Sequence, residues 1–111
     1  MLKIGFDAKR LFHNTTGLGN YSRSLVRGLK EFHPENNYIL FSPSISYNEE
    51  SYYFTKNFEL VTPSFFSGRA LWRTNLIINS LIENEIDIYH GLSHELPLGL
   101  EKTGIKSVVT I

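Results

Sequence analysis

The run Leu2-Lys3-Ile4-Gly5-Phe6-Asp7, followed by Thr15-Thr16-Gly17-Leu18-Gly19-Asn20-Tyr21, decides how the rest of the chain reads. Leu2 to Phe6 is short, mostly apolar and ends in Asp7, the pattern of a buried strand in a parallel sheet. Ala8 to Thr16 reads as a loop, and Thr15 or Thr16 is placed to cap a helix opening near Gly17. Two glycines at a helix start let another molecule approach the backbone, and the free N–H groups there attract an anion, usually a phosphate. The same pair also reads as a helix start with helpful glycines, and spacing alone supports both. A dinucleotide site fits poorly. In that fingerprint the glycines follow the strand almost at once, a third comes three residues on, and an acid lies about 20 residues further. Here nine residues separate Asp7 from Gly17, Ser22 stands at the third glycine position, and no acid ends the second apolar run.

Working outward, Leu18, Tyr21, Leu25, Leu29 and Phe32 recur at helical spacing, with Arg23, Arg27, Lys30 and Glu31 on the other face. Pro34 and Asn36-Asn37 end this helix, and Tyr38 to Phe41 form a second strand. Residues 44–57 are polar and tyrosine-rich and read as an irregular excursion. Phe58 to Val61 is a third strand, and a helix is expected from about Gly68 to Glu85. Its apolar face comprises Ala70, Leu71, Ile77, Ile78, Leu81 and Ile82. Asp87 to His90 reads as a strand running into Gly91, Leu92 to Gly104 as a loop with room for one helical turn, and Ser107 to Ile111 as a β-branched strand. Strands alternating with helices imply an α/β fold, a Rossmann-like, mostly parallel sheet flanked by helices. No helix follows the last strand, so the chain is expected to be the first part of a larger protein.

Composition narrows the classes. With 41% hydrophobic and 14% aromatic residues in 111, a core is affordable and disorder is not expected. Lysine plus arginine equals aspartate plus glutamate, 11 each, which offers no case for nucleic acid. The absence of cysteine excludes disulfides, zinc thiolates and thiol catalysis and fits a reducing compartment. The N-terminus lacks a signal-peptide pattern, and no apolar run approaches the roughly 20 residues that span a bilayer. The expected location is cytoplasmic, with peripheral contact at the inner face of a membrane left open.

Asp7, ending the first strand, lies where ligands bind in open α/β sheets, and its carboxylate suits a substrate hydroxyl; holding the following loop is the favoured role. His90 ends a strand at the same edge, and Gly91 beside it leaves room for a ligand; a lone histidine also serves structurally. His90, His94 and Glu95 lack the order and regular helix of a metal site, so no metal is expected. Trp72 with Phe65-Phe66 reads either as an exposed apolar patch or as ordinary packing.

Taken in order, Phe6-Asp7-Ala8-Lys9-Arg10, Thr16-Gly17-Leu18-Gly19-Asn20-Tyr21-Ser22-x-x-Leu25, Asp87-Ile88-Tyr89-His90-Gly91, Pro97 and Val108-Val109-Thr110-Ile111 resemble the N-terminal domain of the family 4 nucleotide-sugar glycosyltransferases. These have the GT-B architecture, and the mannosyltransferase-like members that build bacterial lipopolysaccharide and capsule look most similar. The resemblance implies a two-domain enzyme with a cleft between Rossmann-like halves. Residues 1–111 would be the truncated acceptor-side domain, and the donor-binding C-terminal domain with its Glu-x7-Glu signature would be absent. Gly17, Leu18 and Gly19 would approach the donor diphosphate, while Asp7, His90 and Gly91 would line the cleft on the acceptor side. The resemblance leaves the catalytic residues unknown; the C-terminal domain and the cleft histidine that family members carry just after the strand ending at Ile111 are both missing, so the fragment alone is expected to be inactive. It implies no cofactor and no metal, the nucleotide-sugar being a co-substrate. The implied partners are that donor and a glycan or lipid-linked acceptor. Gly19→Val is expected to block the diphosphate with little loss of fold.

Two rival readings come from other classes. One is a stand-alone flavodoxin-like nucleotide- or phosphate-binding module without transferase activity. The other is an interaction domain that meets a partner through the Tyr/Phe-rich segment 47–66.

Overall fold

The structure, a computed structural model, describes residues 1–63, 77–92 and 95–110. Five strands form one sheet: β1 (Lys3–Asp7), β2 (Asn37–Phe41), β3 (Glu59–Val61), β4 (Ile88–Gly91) and β5 (Lys106–Val109). Every pairing is parallel and the order is β3-β2-β1-β4-β5. This is the Rossmann order of strands, not the flavodoxin order 2-1-3-4-5 invoked for the binding-module reading. The mostly apolar runs read from the sequence coincide with the strands to within one residue at nearly every boundary.

The connections are helical, as parallel strands require. α1 (Lys9–His13) and α2 (Gly17–Phe32) join β1 to β2, α3 (Tyr52–Asn57) precedes β3, and α4 (Ile77–Glu83) precedes β4. A 3-10 turn (Leu100–Lys102) precedes β5. Two expectations are corrected. Ala8 to Thr16 is not wholly loop, because Leu11 and Phe12 bury themselves by winding into α1. Segment 44–57 is not wholly irregular either. Phe54 on α3 is fully buried and stacks on Phe58, and Tyr53 meets both rings edge-on. The first half of the helix expected from Gly68, together with the Trp72 and Phe65-Phe66 patch, lies outside the described residues.

Side-chain alternation along the strands divides the core in two. Phe6, Tyr38 and Leu40 join Leu11, Phe12, Val26, Phe54 and Phe58 under α1, α2 and α3. Ile39, Phe41 and Tyr89 join Ile77, Leu81, Ile86 and Leu100 under α4. The Tyr38 hydroxyl donates towards the carbonyls of Leu29 and His33 at 3.1 and 2.7 Å, closing the last turn of α2 against β2.

α4 ends in a Schellman motif: Ile86 N–H bonds Leu81 C=O, Glu85 N–H bonds Ile82 C=O, and Glu85 sits at φ 55°. No helix among the described residues is long and apolar enough to cross a membrane.

Candidate functional site

In a sheet of this order the chain leaves β1 and β4 in opposite directions, opening a crevice at their carboxyl ends, the switch point where α/β proteins bind ligands. Asp7 and Gly91 are register partners there, and His90 is the partner of Phe6. α2, the crossover helix between β1 and β2, starts on that same side of the sheet. The expected site residues therefore gather at one end of the molecule, but they do not share one face. His90 lies on the face covered by α2, its ring centroid 5.6 Å from that of Phe6. Asp7, one residue beyond Phe6, lies on the α4 face together with its partner Phe41.

Asp7 is 4% exposed, and its Oδ1 accepts the Lys9 N–H at 3.2 Å, so it does hold the start of α1. His90 Nε2 lies 2.7 Å from Thr110 Oγ1, just past the end of β5. Burial pushes the imidazole pKa down, so the ring stays neutral and contributes a neutral donor or acceptor rather than a charge. The space beside Gly91 is already filled: a Cβ there would lie 2.1 Å from the Glu95 carbonyl oxygen. Gly91 makes room for the returning chain, not for a ligand.

The start of α2 separates its two glycines in the same way. Asn14, not Thr15 or Thr16, supplies the side-chain cap. Its Oδ1 accepts the Thr16 N–H, the Thr16 hydroxyl and the Gly19 N–H at 2.8 to 3.0 Å. A Cβ on Gly19 would lie 1.9 Å from Asn14 O and 2.9 Å from Arg10 O, so this glycine lets α2 pack against the α1–α2 turn. The expectation that Gly19→Val spares the fold is corrected on that ground. Gly17 is the opposite case, exposed and with nothing within 4 Å of a Cβ. The Gly17 and Leu18 N–H groups have no partner among the described residues, and the first turn of α2 carries no acid. Two donors at the positive end of a 16-residue helix thus remain for an anion.

Two arginines that spacing did not single out belong to this corner. Arg23, expected on the polar face of α2, is 9% exposed. Its Nη1 donates to Leu11 O and Asn14 O at 2.7 and 2.8 Å, its Nη2 to Asn20 Oδ1 at 2.7 Å, and Glu50 lies 3.3 Å away. It staples the α1–α2 turn to the helix and to the segment before α3. Arg10, on α1, carries a buried Nε without a hydrogen-bond partner among the described residues. An unpaired buried donor of this kind is costly. The signal available in the sequence was the basic pair Lys9-Arg10, which follows Asp7-Ala8.

No group of three or more His, Asp and Glu that suits a metal ion occurs among the described residues, and His94 lies outside them. The fold and the placement of the crevice define a Rossmann-like α/β protein. No family model, curated protein or solved structure matches the chain.

Proposed function

We propose that this chain is the acceptor-side half of a GT-B nucleotide-sugar glycosyltransferase. Such an enzyme moves a hexose, with mannose the leading candidate, to a glycan or lipid-linked acceptor in cell-surface polysaccharide synthesis. The observation that carries the reading is the pair of unpartnered amides, Gly17 and Leu18, at the start of α2 on the carboxyl side of the β1/β4 switch point. They suit the donor diphosphate, whose developing negative charge as the sugar leaves is stabilised by preorganised N–H donors. Gly19 supports the same turn from inside, through its N–H bond to Asn14 and its close contact with the Asn14 carbonyl. Neutral His90 at the neighbouring strand end offers a hydrogen bond to a sugar hydroxyl or an acceptor without adding charge. The location that suits such a transferase is cytoplasmic, with the acceptor presented at the inner face of the membrane.

The test has two parts. The reading frame encoding the chain is followed past codon 111 for a second α/β half carrying Glu-x7-Glu; a stop codon there refutes the reading. The chain is also titrated with UDP and GDP while the Gly17 and Leu18 amide resonances are followed. Shifts confined to that turn are expected, and unmoved resonances at millimolar nucleotide count against the diphosphate assignment.

A further inference from the structure

The segment between β2 and α3 presents two large apolar side chains to solvent: Tyr47 is 77% exposed and Tyr52 is 60% exposed. They are walls of an open cleft of about 430 Å³ whose remaining lining is Asn48, Glu49 and Thr55. Tyr47 is also a wall of a second cleft, of about 530 Å³, formed by Pro43, Ile45, Leu60 and Thr62 at the carboxyl ends of β2 and β3. Both clefts are walled by Tyr47 and so adjoin, making a discontinuous groove. It begins on the edge of the sheet where the switch-point crevice also opens.

Exposed tyrosines on a floppy loop would be unremarkable, but this segment is fixed. Ser51 is 1% exposed; its hydroxyl donates to the Ser46 carbonyl and accepts the Asn48 N–H, and its own N–H bonds Asn48 Oδ1. Glu50 is tied to Arg23. The ring of Tyr52 carries the Lys56 ammonium 5.5 Å from its centroid. The backbone that carries both tyrosines is therefore set before any ligand arrives, and the Tyr52 ring has a cation contact of its own, which lowers the ordering cost of binding.

The chemistry of the walls selects the occupant. Aromatic faces flanked by amide, hydroxyl and carboxylate groups match a pyranose, which has apolar C–H faces and a rim of hydroxyls. The described lining contains Glu49 and neither lysine nor arginine, and the Lys56 ammonium beside the Tyr52 ring is a single cation next to that carboxylate, so the clefts hold no cluster of cations for phosphate or anionic lipid headgroups. We infer that this groove binds a neutral, pyranose-containing glycan, with Tyr47 and Tyr52 as stacking platforms and Asn48, Glu49 and Thr55 as hydroxyl partners. The inference deepens the transferase reading and rests on it, since the groove would hold the acceptor some distance from the reacting end.

The probes are three neutral trisaccharides, built of mannose, glucose and galactose. They are titrated into the full chain while amide resonances of residues 44–56 and 60–62 are followed. At least one is expected to shift both stretches. Tyr47→Ala and Tyr52→Ala should each weaken it about tenfold, the size of one aromatic-face contact, while Tyr→Phe at either position should stay within about threefold. Both rings are largely exposed, so their truncation leaves the fold unchanged, as resonances of the sheet will show. The inference is overturned if no trisaccharide shifts these residues, or if the alanine variants bind as the wild type does. It is also overturned if the tyrosines matter only for sedimentation with vesicles of equal phosphatidylcholine and phosphatidylglycerol, which would make them a lipid contact. Glycan binding that persists while UDP and GDP leave Gly17 and Leu18 unmoved supports the groove and counts against the transferase reading.

Discussion

Replacing Gly19 and Gly17 by alanine, one at a time, separates the two glycines that the sequence presents as a pair. At Gly19 the new methyl would lie 1.9 Å from Asn14 O, 2.7 Å from Asn14 C and 2.9 Å from Arg10 O, all backbone atoms. None is the end of a flexible side chain, so the α1–α2 turn must move. Overpacking of this kind costs about 1–3 kcal/mol. Displacing Asn14 forfeits its cap on Gly19 N–H, worth about 1 kcal/mol. Alanine's better helix propensity returns about 0.5–1 kcal/mol. The net is a loss of about 2 kcal/mol, which for a domain of this size lowers Tm by roughly 8–10 °C. At Gly17 nothing lies within 4 Å, so alanine should be neutral or stabilising by up to about 1 kcal/mol. Urea titrations followed by circular dichroism, with calorimetry for Tm, measure both. A Gly19→Ala protein as stable as wild type, or a Gly17→Ala protein less stable than Gly19→Ala, would refute the packing argument and return Gly19 to the ligand side.

Gly17→Val should keep the fold yet abolish the shifts that UDP or GDP induce at residues 17–18; unchanged binding would place the anion elsewhere. Arg23→Ala strands the Leu11 and Asn14 carbonyls and should cost about 3 kcal/mol, read as a lower urea midpoint, whereas a loss below about 0.5 kcal/mol would show the staple to be dispensable. The folded pKa of His90 lies below its ordinary 6.5, so the unfolded chain takes up the proton first as pH falls. Stability should therefore be lost as pH drops below about 6.5 and level off beneath the folded value, and His90→Gln should flatten that part of the urea-midpoint profile; an unaltered slope would contradict it. Glu85→Gly relieves a left-handed residue in the α4 Schellman motif and should stabilise by about 1 kcal/mol, with no gain counting against strain there.

The strands were legible because a parallel sheet buries both faces, leaving near-continuous apolar runs such as Tyr38 to Phe41. The orientation of α2 was not. Hydropathy selected Leu18, Tyr21, Leu25, Leu29 and Phe32, yet Tyr21 is 46% and Phe32 79% exposed, while Gly19, Ser22, Arg23 and Val26 face inward. Close approach of the helix favours small residues such as Ser22, fully buried at the third position of the glycine pattern. A guanidinium such as that of Arg23 goes inside when backbone carbonyls meet it, and no hydropathy scale records those carbonyls. At the site, Asp7, Gly17 and His90 reached the expected end of the sheet. The uses of Gly19 and Gly91 depend on tertiary contacts with Asn14 and Glu95 that residue spacing does not encode.

The central position of β1 also sets an order of assembly. Its pairing with β2 joins Ile4 to Tyr38, a local closure, whereas its pairing with β4 joins Ile4 to Ile88 across most of the chain. The longer closure costs about 0.8 kcal/mol more in chain entropy, and contacts of such separation slow folding. During synthesis the β1–β2–β3 half can form as soon as it emerges, with the other edge of β1 open until β4 follows. That interval is when the chain is most exposed to pairing with another copy of itself, and a chaperone or rapid elongation through residues 62–91 would shorten it.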